Sequence, residues 1–168
     1  LDGVPEQQGN YAKSGFVKYG STIRYEGWID ADWDPRVRHA LPDDAGALSV
    51  CDAGSCGMDR TEFATSWFSP SKNRQTMVVT HVGKLTGCAT FRRCRVGTKV
   101  GPHYADSQED AHILLASNPF ASEGAPVFVD VQNQSSPLGA FLHERGFEPI
   151  FETARMFKGA PPKATPKT

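Results

Sequence analysis

Residues 146–159 read Gly-Phe-Glu-Pro-Ile-Phe-Glu-Thr-Ala-Arg-Met-Phe-Lys-Gly, and the fold turns on how that stretch leaves the segment before it. A glycine can take the left-handed backbone that stops a helix without steric cost. A helix is therefore expected from Ser135 to Arg145, with Leu138, Phe141 and Leu142 on one face and Gly146 as its stop. Beyond it, Phe147–Phe151 and Ala154–Phe157 read as two closing strands. Before the helix, Pro126–Val131 is a short apolar run in which Val129 and Val131 share a face, and it reads as a buried strand.

The same punctuation continues upstream. Gln75–Val82, Leu85–Arg95 and Lys99–Tyr104 are separated by Gly83-Lys84 and Val96-Gly97-Thr98, which predicts a three-stranded antiparallel meander. Ser107 followed by Asp110 opens a helix that Asn118-Pro119 stops. Ahead of the meander, Val37–Leu41 is a short strand and Pro42 opens a helix to about Asp52. Asp59 with Glu62 opens another helix through Phe68. The order predicts an α/β fold of the α+β mixed-sheet kind, with a central antiparallel meander, one crossover helix and a C-terminal strand pair.

A chain of 168 residues is long enough for one domain with its own core. The formal net charge of −1 gives no electrostatic reason to expect nucleic acid or an anionic membrane as partner. No run approaches the roughly 18 apolar residues of a membrane span. No signal peptide is visible, although one could precede Leu1. Cys51 and Cys56 could meet across a turn at Gly54, whereas Cys88 and Cys94 lie about 20 Å apart on one strand. With no Cys-x-x-Cys pair and no ligand spacing among the histidines, free thiols, no metal and a cytoplasmic location are expected.

Val129, Val131, Ser135, Leu138, Phe141, Leu142, Gly146 and Phe147 fall on a pattern of strand, small polar residue and helix ending in Leu-Tyr-x-x-x-Gly-Phe. In this the chain resembles the GNAT superfamily of N-acetyltransferases. With Gly101-Pro102-His103-Tyr104-Ala105-Asp106, the 146–159 stretch is similar to the divergent C-terminal domain of two-domain GNAT proteins, over residues 37 to 159. The resemblance implies the GNAT acyl-CoA N-acyltransferase fold, acetyl-CoA as co-substrate, and transfer of acetyl to an amine on a small molecule or peptide. It equally admits a non-catalytic GNAT-fold module that binds substrate or packs on an active neighbour.

Setting Gly15-Phe16 on Gly146-Phe147, an offset of 131 residues, brings Thr22 onto Thr153 and Arg24 onto Arg155. Both copies then read helix, Gly-Phe, strand, turn, strand, with Gly20-Ser21 turning Phe16–Tyr19 into Thr22–Glu26. Residues 1–27 are thus expected to be the C-terminal remnant, helix plus hairpin, of a preceding GNAT domain, or else a decoration on a single domain. Residues 28–35 are a linker, 36–158 the GNAT-like domain and 159–168 a flexible tail. A hairpin without its sheet does not hold itself together. It should pack on the second domain, pair with another chain, or belong to a larger protein.

Acetyl transfer needs donors for the cofactor's pyrophosphate, a base for the amine and an acid for the leaving thiolate. The resemblance places the pyrophosphate on a Gly-rich loop where the helix after the fourth strand begins. Here that stretch is Ala105–Ala111, with no glycine, no arginine and three carboxylates. Ser107 remains as a cofactor contact, with Lys99 or Arg95 as the compensating charge. Val100 and Gly101 would flank the pantetheine, beside a bulge or edge at Pro102. Regular alternation would put Lys99, Gly101 and His103 on one face of that strand, and His103 is the candidate base. The resemblance makes Tyr11 the thiolate acid of the preceding domain, since Leu142 holds that position in the complete one.

Overall fold

The computed structural model describes residues 1–121, 124–132 and 136–163. The expectations that the last helix starts at Ser135 and that a tail reaches Thr168 fall outside them. The chain enters as β1 (Asp2–Gly3), α1 (Gln8–Lys13), β2 (Val17–Gly27) and β3 (Val37–His39). Then follow α2 (Ala45–Cys56), α3 (Thr61–Phe68), the meander β4 (Arg74–His81), β5 (Lys84–Arg93) and β6 (Thr98–Ala105), and α4 (Gln108–Ala116). It closes with β7 (Val127–Gln132), α5 (Pro137–Glu144) and β8 (Glu148–Phe157).

Local chemistry sets the ends of these elements. Ser107 Oγ accepts the Asp110 amide at 3.1 Å and caps α4, as its spacing predicts. Gly146, at φ 77°, releases the chain from α5. The helices lie on both faces of one mixed sheet ordered β1-β8-β2-β7-β6-β5-β4-β3. On one face, Ala111, Leu114 and Leu115 of α4 and Phe141 and Leu142 of α5 pack on Met77, Phe91, Val100, Val129 and Ile23. On the other, Leu48 of α2 and Phe68 of α3 pack on Val78 and Cys88.

The two terminal hairpins do not form. Residues 17–27 are one strand with a bulge between Lys18 and Gly20, and residues 148–157 are one strand with a bulge opposite Arg24 and Tyr25. Each is bonded along both edges, β2 to β7 and β8, and β8 to β1 and β2. Ladder bonding on both sides keeps Gly20-Ser21 extended, and the irregularity is taken up as bulges. The strand pair that closes the sheet therefore joins the two ends of the chain.

Its register bears on the internal repeat. Thr22 pairs directly with Thr153, so the two residues equated by the 131-residue offset face each other. An approximate two-fold axis runs between them, relating α1–Gly15–β2 to α5–Gly146–β8. Gly15 and Gly146 both have positive φ, 85° and 77°. The flanking strands obey the same relation: Asp130 of β7 lies opposite Arg24, and Asp2 of β1 lies opposite Arg155.

Residues 28–36 run along α4. The Asp32 amide bonds the Ala116 carbonyl at the helix end, and Arg36 reaches Glu109 in its first turn. Where the chain leaves β2, a Cβ on Gly27 would sit 2.3 Å from the fully buried Phe147 ring. Replacing Gly27 by Ala is predicted to lower stability by about 2–3 kcal/mol, read as a fall in the urea midpoint at unchanged slope.

Candidate functional site

Among the described residues β6 and β7 form the one parallel contact of the sheet, pairing at Thr98↔Val127, Lys99↔Phe128 and Val100↔Val129. Beyond Val100 the strands part. Gly101 stands at the fork with a cis bond to Pro102, and open space lies where its Cβ would be. From Gly101 to Ser107 the chain covers about 20 Å at the strand rise. Val100, Gly101 and Ser107 thus lie on one line, from the fork to the start of α4.

The fork is roofed from α3. The Trp67 indole N–H donates to the Gly101 carbonyl at 3.2 Å, Phe63 stacks on Trp67, and the Arg74 guanidinium lies over its ring. On the same face of the sheet, Tyr104 donates its hydroxyl to Asp52 of α2, which the Arg60 guanidinium grips through two bonds. Burial, reinforced by that carboxylate, pushes the Tyr104 phenol well above its ordinary range. Its proton is held.

Asp130 is the hub at the base of the fork. Arg24 of β2 donates to both its oxygens, at 2.7 and 3.1 Å, and Lys99 of β6 donates from the third strand. Burial alone would raise this carboxyl, but bonds from Arg24 and Lys99 outweigh it and hold Asp130 below the usual carboxylate range. Lys99 is therefore committed to Asp130, roughly 26 Å along the chain from the helix start where a compensating charge is needed. Neither Arg24 nor Asp130 is a site residue in the sequence reading. The available signal is Asp130 itself, a single carboxylate inside the apolar run Val127–Val131.

The beginning of α4 is acidic and already engaged. Ser107 caps the helix, Asp110 bonds His81 Nε2 at 2.9 Å, and Glu109 pairs with Arg36. The Arg36 guanidinium also forks onto Asp34. Bonds from Arg36 hold the Asp34 carboxyl at about 2. The basic groups at this helix start are thus Arg36 and His81, neither of which the sequence reading identified. Both are consumed by carboxylates, so this end does not fit a pyrophosphate.

His103 departs from its expected face. The β5–β6 register slips so that Thr90 stands against Gly101 and Pro102, a bulge that inverts the alternation. His103 therefore shares the α4 face with Val100, and Lys99 shares the other with Tyr104. Its Nε2 donates to the Ala111 carbonyl at 3.0 Å, which leaves Nδ1 as a buried acceptor without a partner. Desolvation holds its pKa down at about 4, only partly opposed by main-chain bonds. Tyr11, the other candidate, sits on α1 at the far side of the sheet, its ring edge-on to Phe16 and against Gly3. The structure does not bring it near the β6–β7 fork.

Among the described residues no three His, Cys, Asp or Glu side chains are grouped as metal ligands. No described helix is long and apolar enough to cross a membrane. The sequence pattern of a family described as an acetyltransferase (GNAT) domain matches residues 49–168. The chain belongs to that GNAT family. It is 30% identical over 166 residues to the holothin acyltransferase of a Pseudoalteromonas species, covering 97% of this chain and 56% of that protein. A proposed acetyltransferase from Pyrococcus horikoshii has the same fold, with a TM-score of 0.73 at 19% identity, covering 98% of this chain and 54% of its own. A proposed GNAT acetyltransferase from Novosphingobium aromaticivorans matches with a TM-score of 0.65 at 13% identity, over 83% of this chain and 65% of its own. This GNAT chain thus spans little more than half the length of the first two.

One titration follows from His103. The unfolded chain takes up its proton near the ordinary histidine value of 6.5, while the folded chain resists until about 4. Stability is therefore full above pH 6.5 and falls as pH drops towards 4, by about 3 kcal/mol in all. Urea unfolding of wild type and His103→Phe across that window should show this slope in the first and lose it in the second.

Proposed function

We propose that this chain is the C-terminal part of an acyltransferase that moves an acyl group, acetyl in the simplest case, from acyl-CoA to an amine on a small molecule or peptide. In that protein, residues 36–158 are a GNAT module that has given up the cofactor's phosphate site and serves its active neighbour. Residues 1–27 are the end of that neighbour. The observation that carries this reading is the contrast between the two related sites. At the start of α4, the Ser107 hydroxyl is spent on the cap and Arg36 and His81 on Glu109 and Asp110, which puts carboxylates and committed cations where a pyrophosphate would need free positive charge. The position after the last helix's apolar face is the fully buried Leu142 in the complete unit and the half-buried Tyr11 in its counterpart.

The roles divide accordingly. Tyr11 has a phenol to give to a leaving thiolate, and Leu142 has none. His103 is sealed under α4 and serves as a packed, neutral core histidine rather than as a base. Lys99, with Arg24, neutralises Asp130 and ties β6, β7 and β2 together at the base of the fork. A second reading, that the β6–β7 fork itself takes acyl-CoA, is favoured by the open space at Gly101. It would need an anion-binding end that Arg36 does not supply while held by Asp34 and Glu109.

Calorimetric titration of this chain with acetyl-CoA separates the two. The expected result is no heat beyond dilution up to millimolar cofactor, and a micromolar Kd would move the site to the β6–β7 fork. In the full-length enzyme, Tyr11→Phe should lower kcat about a hundredfold while leaving the KM for acetyl-CoA unchanged. An unaltered kcat would remove Tyr11 from the chemistry.

A further inference from the structure

At the rim of the sheet where β4 begins and β5 ends, three cations stand side by side. Arg74 of β4 pairs with Arg92 of β5, and Arg92 pairs with Lys99 of β6. Residues opposite each other across a ladder share a face. Here it is the face covered by α3, since the Arg74 guanidinium lies over Trp67. Arg93 points to the other face and lies over Phe120. Neighbouring strands are about 4.8 Å apart, so the three charged side chains rise from a span of about 10 Å. Like charges set directly opposite each other weaken a ladder.

This row is short of counter-charge. Asp130 answers Lys99, but it also answers Arg24. Arg74 meets neutral acceptors, the Ser66 and Ser69 carbonyls, and its Nε is buried without a partner. Arg92, in the centre, is exposed, and its guanidinium has no partner among the described residues. The row is also bounded. The stacked Phe63 and Trp67 rings flank it at Arg74, and the buried Thr76 and Thr90, bonded to each other at 3.0 Å, close its inner side. Beyond Lys99 the same row continues with the half-buried Phe128 and then Glu26, a carboxylate that repels an anion.

We propose that Arg74, Arg92 and Lys99 form a binding site for a small organic dianion, a phosphate monoester or a dicarboxylate, with Arg92 as its central contact. A guanidinium offers parallel N–H donors that match two oxygens of either group, and Arg92 has its donors free. The span of about 10 Å suits a small ligand, whereas an extended acidic peptide, at about 3.3 Å per residue, would run on to Glu26. The site lies at the end of β6 away from the start of α4. It gives this module a ligand of its own, whether or not a neighbouring unit carries the acyl transfer.

Calorimetry on this chain at low salt, with inorganic phosphate and with succinate as probes, tests the site. At least one should bind with a Kd below about 1 mM, and the tighter of the two names the group. Arg92→Gln should weaken that Kd about tenfold or more. Lys84→Gln removes one charge from the exposed start of the same strand and should leave the Kd within about twofold. No heat from either probe, or heat from a hexaglutamate peptide alone, overturns the proposal. Equal weakening by Lys84→Gln and Arg92→Gln also overturns it, because the attraction is then diffuse. Urea unfolding without ligand gives an independent reading. Arg92→Gln should raise the midpoint at low salt by relieving the row, and about 0.5 M NaCl should abolish the gain. A midpoint lowered by Arg92→Gln would make Arg92 a structural contact and contradict the strained row.

Discussion

The β2–β8 ladder is the contact on which the rest of this structure depends. It keeps β2 in the sheet, and without β2, β7 would be the border, α5 would cover little, and Asp130 would lose the Arg24 guanidinium that holds it beside Lys99. An exposed, apolar border is also unstable as a monomeric surface. Pairing the two chain ends next to β7 covers that border, and Ile23, Tyr25, Ala154 and Met156 on the paired strands are all buried. The ladder is also where the internal repeat becomes physical, because its register places Thr22 against Thr153.

The proposed tandem reading divides labour between two related sites. The β6–β7 fork has the shape of a cofactor channel, yet its chemical fittings are spent internally. Trp67 takes the Gly101 carbonyl, Asp130 takes Lys99, Asp52 takes Tyr104, and the acidic start of α4 takes Arg36 and His81. Such closed networks stabilise a fold and leave few groups for a ligand. The edge at β1 is the reverse, with a half-exposed tyrosine and a glycine under it.

Much of the fold was legible because local chemistry decided it. Gly146 had to end α5, Ser107 had to cap α4, and the Gly83 and Gly97 turns had to produce the meander. Three features were not legible, each for a tertiary reason. Gly20-Ser21 looks like a turn, but ladders on both sides of β2 keep it straight. His103 looks like a partner of Lys99, but one bulge at Gly101-Pro102 flips the faces beyond it. Arg36 lies 73 residues from Glu109 in sequence, and only the path of residues 28–36 along α4 joins them. Tyr11, Gly101 and Ser107 are candidates that a motif supplies. The hub Asp130 is not, because its importance comes from Arg24 arriving on a strand from the other end of the chain.

If β2 is a central strand of the folded unit, its removal must be felt everywhere. The direct measurement is urea unfolding of a chain beginning at Trp28, followed by near-UV circular dichroism, with and without a peptide of residues 1–27. The expected result is no cooperative transition for the shortened chain and its return when the peptide is added. A shortened chain that unfolds cooperatively at the midpoint of the intact one would show that residues 1–27 only decorate the sheet.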